Sequence, residues 1–246
     1  EYLPPFVPSW DGAHLAWLDW LESLGYSRAA DADEALAMEP ERPVEHSASA
    51  FVTDRLLDWI GRQRGPWFAH ASYFRPHPPY AAAGHFARAY DPATIATPIA
   101  PASKRHPLHE GLLRHPETAS PGSVDAIRKL RAQYFGMVSE VDHQLGRVWQ
   151  ALSRLGHWDD TWILVTSDHG EAFGEHGEWS HSLFIYDTTL HVPLLIRAPG
   201  FEAGKRSRVS VSLTDIAATV LDAAGVSAGS IPGISLVKAI GPGAPD

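Results

Sequence analysis

Apolar residues recur every three or four positions in four stretches of the chain, which is the spacing of one buried face of an α-helix. The longest stretch runs from Ser123 to Leu155, and shorter ones cover Asp11 to Leu24, Ser47 to Gly61 and Thr214 to Ala224. Ser47 and Thr214 can cap the helices that they open, because a side-chain oxygen at that position accepts from a backbone N–H. The pattern therefore predicts four helices.

Short apolar runs without helical spacing predict buried strands at Trp67 to Phe74, Thr161 to Thr166 and Val192 to Ile196. The second run follows the long helix after a turn at residues 156–160, which is half of a parallel crossover. We therefore expect an α/β fold with a mainly parallel sheet. The whole chain, 1–246, is expected to be a single domain, in which the proline-rich residues 81–122 form a long irregular insertion.

The composition excludes several classes of function. With 20 Lys and Arg against 29 Asp and Glu, the formal charge is -9, so we expect no nucleic-acid partner. The chain has no cysteine, which excludes disulfides, cysteine zinc sites and a thiol nucleophile within it. No stretch is apolar enough to predict a membrane-spanning helix, and we expect no membrane partner.

The first residues predict little about targeting. They contain neither a basic segment nor an apolar signal-peptide segment, so the expected location is cytoplasmic. The chain begins without a methionine, in a proline-rich stretch, and we expect it to be a fragment of a longer protein.

Three motifs that would define a class of function are incomplete. Gly204-Lys205 follows Gly200 too closely for a phosphate loop, and Arg206 stands where that loop needs Ser or Thr. His109 is followed by Leu113 at the position where a helical zinc pair needs its second histidine. The chain has no G-x-S-x-G nucleophile elbow, because the segment with those letters, Gly225 to Gly229, follows a predicted helix and not a strand; a serine hydrolase of the α/β type is therefore not indicated.

One constellation remains directly after the second predicted strand, at Ser167-Asp168-His169-Gly170-Glu171. In open parallel sheets, ligands bind beyond the carboxyl ends of the strands, where neighbouring side chains can converge. A carboxylate beside an imidazole suits Mn²⁺, Zn²⁺ or Fe²⁺, or Ca²⁺ or Mg²⁺ if oxygen ligands dominate. The alternative is that Asp168 caps the next turn and His169 packs or is solvated beside it.

Further histidines lie near this segment, at His176, His181 and His191. We expect His176 and His191 to be structural, because histidines near strand edges commonly satisfy backbone groups. His181 is a candidate for function. His77 stands between two prolines that fix the backbone and pre-organise the imidazole, and on the residue alone a functional and a structural role are both open.

Several segments resemble the C-terminal half of the sulfatase family, within the alkaline phosphatase superfamily. They are Thr166 to Glu171, Gly174 to Trp179, His191 to Ile196 and Ser212 to Ile216. The segments Tyr73 to Tyr80 and Tyr134 to Asp142 are similar to the phosphonate monoester hydrolase branch in particular. The resemblance implies an alkaline phosphatase-like α/β/α sandwich, incomplete at the N-terminus and at the C-terminus.

The resemblance also implies a function: a metal-dependent hydrolase of sulfate, phosphate or phosphonate esters, with a small anionic ester as its substrate. In the family, one divalent metal ion activates a formylglycine hydrate that attacks sulfur or phosphorus. By their match to the family, Asp168 and His169 would be metal ligands, His77 would bind the substrate or its leaving group, and His181 would contact a non-bridging oxygen. The metal stays open among Mn, Ca, Zn, Mg and Fe, and the branch similarity favours phosphonate monoesters and related phosphodiesters.

The chain departs from the family in one large respect. The C-x-P-x-R or S-x-P-x-R motif that supplies the formylglycine is absent from these 246 residues, and so are the family's first two metal carboxylates. The resemblance therefore places the nucleophile in a missing N-terminal segment, and we expect the isolated chain to be inactive. The alternative is a non-catalytic metal- or anion-binding module derived from the family.

Overall fold

A computed structural model describes residues 16–100, 107–114, 120–181, 185–227 and 229–237. The chain divides into two compact units. The first comprises Glu1–Leu155 with Ala172–Ser180, and the second comprises Gly156–Glu171 with His181–Asp246. The single domain over 1–246 stays a prediction.

The first unit is mainly helical. Its α-helices are α1 (Ala16–Ser23), α2 (Ala32–Ala37), α3 (Ala48–Arg62), α4 (Pro107–Leu112) and α5 (Val124–Arg154). Short 3-10 helices lie at Glu39–Glu41, Val44–His46, Gly84–Arg88, Pro92–Thr94 and Glu175–Gly177. The long helix and the Ser47 cap are confirmed, because the Ala50 N–H donates to Ser47 Oγ at 3.1 Å. Residues 11–15 of the first predicted helix lie outside the described residues.

Packing in the first unit joins distant parts of the chain. Trp17, Leu21 and Leu36 are buried in a core formed by α1 and α2. An ion pair of 2.6 Å between Asp54 and Arg147 links α3 to α5. Burial of these apolar side chains is the main source of stability for such a helical layer.

A small hairpin completes the first unit. Strands β2 (Ala172–Phe173) and β3 (Trp179–Ser180) pair antiparallel on either side of the 3-10 helix Glu175–Gly177. The Phe173 ring lies 5.0 Å from Tyr80 and 4.7 Å from Tyr134, measured between ring centroids. These aromatic contacts attach the hairpin to the loop after residue 79 and to α5.

The second unit contains strands β1 (Ile163–Thr166) and β4 (Leu194–Arg197), which pair antiparallel, together with the one-turn helix α6 (Asp187–Leu190) and helix α7 (Thr214–Ala223). Within the described part of the chain, no helix is both long enough and apolar enough to cross a bilayer.

The strands differ from expectation in two ways. Residues 67–74 pair with no strand among the described residues, because an extended segment forms a ladder only when a neighbour satisfies its backbone groups. Both ladders of the described part are antiparallel, although a mainly parallel sheet was expected. The described connection from β1 to β4 has only the four-residue α6 in the second unit, not the longer crossover helix of a parallel pair.

The predicted Thr214 cap is wrong. Thr214 is already the first helical residue of α7, and Leu213 before it makes no side-chain cap hydrogen bond. The Thr214 hydroxyl donates instead to Ser212 Oγ at 3.1 Å. The helix itself is confirmed.

Candidate active site

The segment that follows β1 carries the predicted metal ligands. At the end of the strand, the Thr166 hydroxyl donates to the Pro193 carbonyl at 2.8 Å. The Ser167 hydroxyl donates to the His169 carbonyl at 2.6 Å, so the backbone turns directly after β1. This turn brings Asp168 Oδ1 to 3.8 Å from His169 Nε2.

These two atoms suit a divalent ion. His169 Nδ1 lies 2.8 Å from the Gly170 carbonyl, which can only accept, so in the neutral ring Nδ1 carries the proton and Nε2 carries the lone pair. Divalent ions bind nitrogen and oxygen ligands at about 2.0–2.2 Å, and one ion can therefore contact both atoms. Asp168 is 88% exposed and His169 is 36% exposed. Across the described residues, no group of three or more potential ligands is suited to hold a metal.

Gly170 determines how closely the next segment approaches these ligands. A Cβ atom on Gly170 would lie 2.0 Å from the Thr188 carbonyl oxygen, well inside van der Waals contact. The Gly170 N–H donates to the Thr189 carbonyl at 2.8 Å. Only glycine fits this approach, and the segment after His169 is therefore held against the start of α6.

His181 lies beside His169. The two imidazole rings stack with centroids 4.0 Å apart and an angle of 23° between their planes. His181 Nδ1 is 3.1 Å from both carboxylate oxygens of Glu171, whose side chain is 4% exposed. Burial lowers the pKa of His181, the neighbouring His169 lowers it further, and Asp168 opposes both effects.

His77 belongs to the first unit, whereas Asp168, His169 and His181 belong to the second. His77 Nδ1 lies 2.9 Å from the Pro78 carbonyl, and the Phe74 ring lies 4.5 Å away between centroids. Since a carbonyl only accepts, Nδ1 again carries the proton of the neutral ring. The structure thus brings three of the four predicted side chains together and gives the fourth a defined tautomer.

Two site residues were missed by the sequence reasoning. Glu171 belongs to the segment 167–171 after β1. Side chains alternate between the two faces of an extended segment, and this pattern gave no reason to pair Glu171 with His181, ten residues later. Arg75, two residues before His77 in the chain, is buried and hydrogen-bonded to the loop that carries His77. The sequence feature that could have indicated a role for Arg75 is its position between an aromatic run and a proline-rich loop.

The fold matches a known class. The solved structure of the phosphonate monoester hydrolase of Agrobacterium radiobacter superposes with a TM-score of 0.84 at 34% identity, over 94% of this chain and 51% of that chain. The fold is therefore the alkaline phosphatase-like α/β fold. A sequence profile of the sulfatase family matches residues 11–226. This chain belongs to the sulfatase family.

Two curated relatives illustrate the match. The multifunctional alkaline phosphatase superfamily protein PehA of Trinickia caryophylli is 34% identical over 206 residues, which is 75% of this chain and 39% of that protein. The choline-sulfatase of Rhizobium meliloti is 29% identical over 243 residues, which is 93% of this chain and 46% of that protein. The chain thus spans less than half the length of these relatives. Members of the family generally use a divalent metal and a formylglycine.

Proposed function

We propose that this chain forms the metal- and substrate-binding half of a hydrolase of sulfate, phosphate or phosphonate monoesters. In this proposal, Asp168 and His169 hold one divalent ion, His181 contacts a non-bridging oxygen of the ester, and His77 acts at the leaving group. The ion, when bound, supplies Lewis-acid stabilisation of negative charge on the ester. The chain has no cysteine and no S-x-P-x-R segment, so it contributes no nucleophile of the family's type.

One observation carries this proposal: directly after a strand, His169 Nε2 lies 3.8 Å from a carboxylate oxygen of Asp168, while His169 Nδ1 binds a backbone carbonyl. An imidazole whose Nδ1 proton is engaged by a backbone carbonyl is pre-organised to bind a metal through Nε2. The same Asp168 Oδ1 accepts from the His169 backbone N–H at 3.0 Å, which holds the carboxylate beside the imidazole.

The arrangement of His181 supports a role in binding the substrate anion. Its Nδ1 proton is engaged by the Glu171 carboxylate, which leaves Nε2 as the ring nitrogen that would meet an ester oxygen. The His181 ring stacks on the ring of His169, the proposed metal ligand, with the two ring centroids 4.0 Å apart. Nε2 would donate to an ester oxygen in the imidazolium form of the ring, which the negative charge of a bound ester would favour, and such a donor would stabilise charge that builds up on the ester oxygens.

His77 has the features of a group that acts on the leaving oxygen. The Pro78 carbonyl fixes its tautomer, and the Phe74 ring supports one side of the imidazole. A protonated imidazole at the leaving oxygen would donate a proton as the bond breaks. The 34% identity to a phosphonate monoester hydrolase of known structure supports phosphonate monoesters and related phosphodiesters as the preferred substrates.

The experiment uses the product of the complete reading frame that encodes this chain. Metal content and turnover of matched aryl sulfate and aryl phosphonate monoesters are measured for the wild type and for His169→Ala, His181→Ala and His77→Ala. His157→Ala is the matched control, because His157 lies in the turn after α5 and pairs with Asp160 at 3.9 Å.

We expect the wild type to hold about one divalent ion per chain and His169→Ala to lose it, together with at least about 10²-fold in kcat/KM. His181→Ala is expected to keep the metal and lose turnover, and His157→Ala to match the wild type. Metal binding that survives His169→Ala, or turnover that falls equally in His157→Ala, would contradict the assignment. A wild-type protein that binds the metal or the ester anion but turns over neither ester would favour the non-catalytic module.

A further inference from the structure

The loop that presents His77 contains three prolines, at positions 76, 78 and 79. Proline has no N–H, so this loop has few donors of its own to satisfy its carbonyl groups. Its backbone makes one turn-like bond, from the His77 N–H to the Phe74 carbonyl at 3.0 Å. Side chains bind the other loop carbonyls: the His77 ring binds that of Pro78, and Arg75 binds those of His77 and Pro79.

The Arg75 guanidinium reaches both ends of this loop. Its Nη1 donates to the His77 carbonyl at 3.2 Å and to the Pro79 carbonyl at 2.6 Å. Its Nη2 donates to the Ala81 carbonyl at 3.0 Å and to the Leu36 carbonyl, also at 3.0 Å. A planar guanidinium with five N–H donors can hold several acceptors in one fixed arrangement, which an ammonium group cannot.

A second buried residue fixes the guanidinium. Glu39 Oε2 accepts from Arg75 Nε at 2.9 Å and also from Nη2, and both side chains are 0% exposed. Glu39 Oε1 accepts from the Ala48 N–H at 2.7 Å. The carboxylate is thus tied to the first turn of α3, and through Arg75 the His77 loop is tied to the same helix.

We infer that Arg75, held by Glu39, is the positioning residue that sets the location and tautomer of His77 for the reaction. The orienting bond of the imidazole goes to the Pro78 carbonyl, and the carbonyls on either side of Pro78 in the chain, those of His77 and Pro79, both bind Arg75 Nη1. The peptide that orients the ring is therefore held at both ends by one nitrogen. This inference rests on the proposed role of His77 at the leaving group.

Arg75→Lys removes the fork but keeps the charge opposite Glu39, so it is the diagnostic change. In the full-length protein, a series of aryl esters with increasingly basic leaving groups separates proton donation from general loss of structure. We expect Arg75→Lys to lower kcat/KM by about 10- to 100-fold for phenyl esters and by less than about 3-fold for 4-nitrophenyl esters, since a misplaced donor costs most where protonation is needed. Arg147→Lys, in the partly buried ion pair with Asp54, is the control.

The double variant with His77→Ala makes the test specific. If Arg75 acts through His77, then Arg75→Lys costs less than about 2-fold once His77 is alanine. An equal loss for all leaving groups, or an equal loss with and without His77, would show a structural role and overturn the inference. Should Arg75→Lys fail to fold, as judged by its melting temperature, Glu39→Gln takes its place with the same expectations.

A measurement independent of turnover separates this inference from the proposed function. In the folded wild type, long-range ¹H–¹⁵N spectra of histidine-labelled protein should show His77 with its proton on Nδ1, and Arg75→Lys should shift the ring toward the other tautomer. A wild-type ring with its proton on Nε2 would overturn the inference. A wild type that turns over no ester, but whose Nδ1 tautomer is shifted in Arg75→Lys, would refute the proposed function and leave the positioning by Arg75 standing.

Discussion

Gly136 of α5 offers a direct test of how this helix packs. A Cβ atom there would lie 2.4 Å from the Phe86 carbonyl oxygen and 2.9 Å from Ala82 Cβ. Gly146, ten residues later on the same helix, has nothing within 4 Å of its added Cβ. Gly136→Ala and Gly146→Ala therefore add the same methyl group to the same helix, once against backbone and once into open space.

The two substitutions share one favourable effect and differ in one unfavourable effect. Alanine is more favourable than glycine in a helix interior by about 1 kcal/mol, at both positions. At Gly136 the Phe86 carbonyl must move by about 1 Å to reach the 3.4 Å at which ordinary contact begins. Overpacking of this kind costs about 1–3 kcal/mol. Gly136→Ala should thus be about 1–3 kcal/mol less stable than Gly146→Ala.

The assay is urea unfolding followed by circular dichroism, with the melting temperature as a second measure. Gly146→Ala is expected to gain about 1 kcal/mol over the wild type, and Gly136→Ala to lose up to about 2 kcal/mol. At about 2–4 °C per kcal/mol for a chain of this size, the two variants should differ visibly in melting temperature. Equal stabilities within about 0.5 kcal/mol, at equal m-values, would refute the described packing of α5 against residues 84–88.

Two further predictions concern single buried or crowded groups. Burial, and then the charge of Glu175, raise the pKa of Glu178 to about 7. The contribution of Glu178 to stability is therefore present below about pH 4.5 and is lost as the pH rises through about 7. In urea titrations, Glu178→Gln should stabilise the protein more at pH 8 than at pH 5, and an unchanged pH dependence would contradict this prediction. Gly170→Ala should weaken Mn²⁺ binding by about 10- to 100-fold in calorimetry, because the added methyl group displaces the segment beside His169. Gly61→Ala is the control: its added methyl group meets open space, and this variant should bind Mn²⁺ like the wild type.

The four longest described helices, α1, α3, α5 and α7, could be predicted from the sequence because their signal is local. Helix α5 was expected from Ser123 to Leu155 and occupies Val124–Arg154, with the Ala126 N–H donating to Ser123 Oγ at 3.4 Å. Thirty-one residues of regular apolar spacing leave little ambiguity. The start of α7 was misjudged by one residue, since a threonine at the first helical position and one at the cap look alike in sequence.

The strands could not be predicted as well, since a strand needs a partner that the sequence does not identify. Residues 67–74 have the composition of a strand, yet no described segment pairs with them. β1 was predicted correctly as a strand, but its described neighbour is the antiparallel β4. Apolar runs report that a segment suits a sheet, and the direction of pairing depends on connections that composition does not encode.

The site shows the same division between local and distant effects. Asp168 and His169 could be proposed as ligands because they are adjacent and follow a strand, and the structure places Asp168 Oδ1 3.8 Å from His169 Nε2. The pair of Glu39 and Arg75 is separated by 36 residues in sequence, and nothing in either segment predicts that the two side chains meet. Partners of this kind are fixed by tertiary packing, which brings the 3-10 helix Glu39–Glu41 to the start of the His77 loop.

The same local device orients two of the candidate imidazoles. His77 Nδ1 lies 2.9 Å from the Pro78 carbonyl and His169 Nδ1 lies 2.8 Å from the Gly170 carbonyl, in each case the carbonyl of the next residue. Such a bond depends on the local backbone conformation, because its acceptor is a carbonyl group of that backbone. The groups that control the tautomers are therefore the ones that shape the backbone there, Arg75 for His77 and the absent side chain of Gly170 for His169. Substitutions that leave every imidazole in place should still impair the chemistry when they alter these two turns.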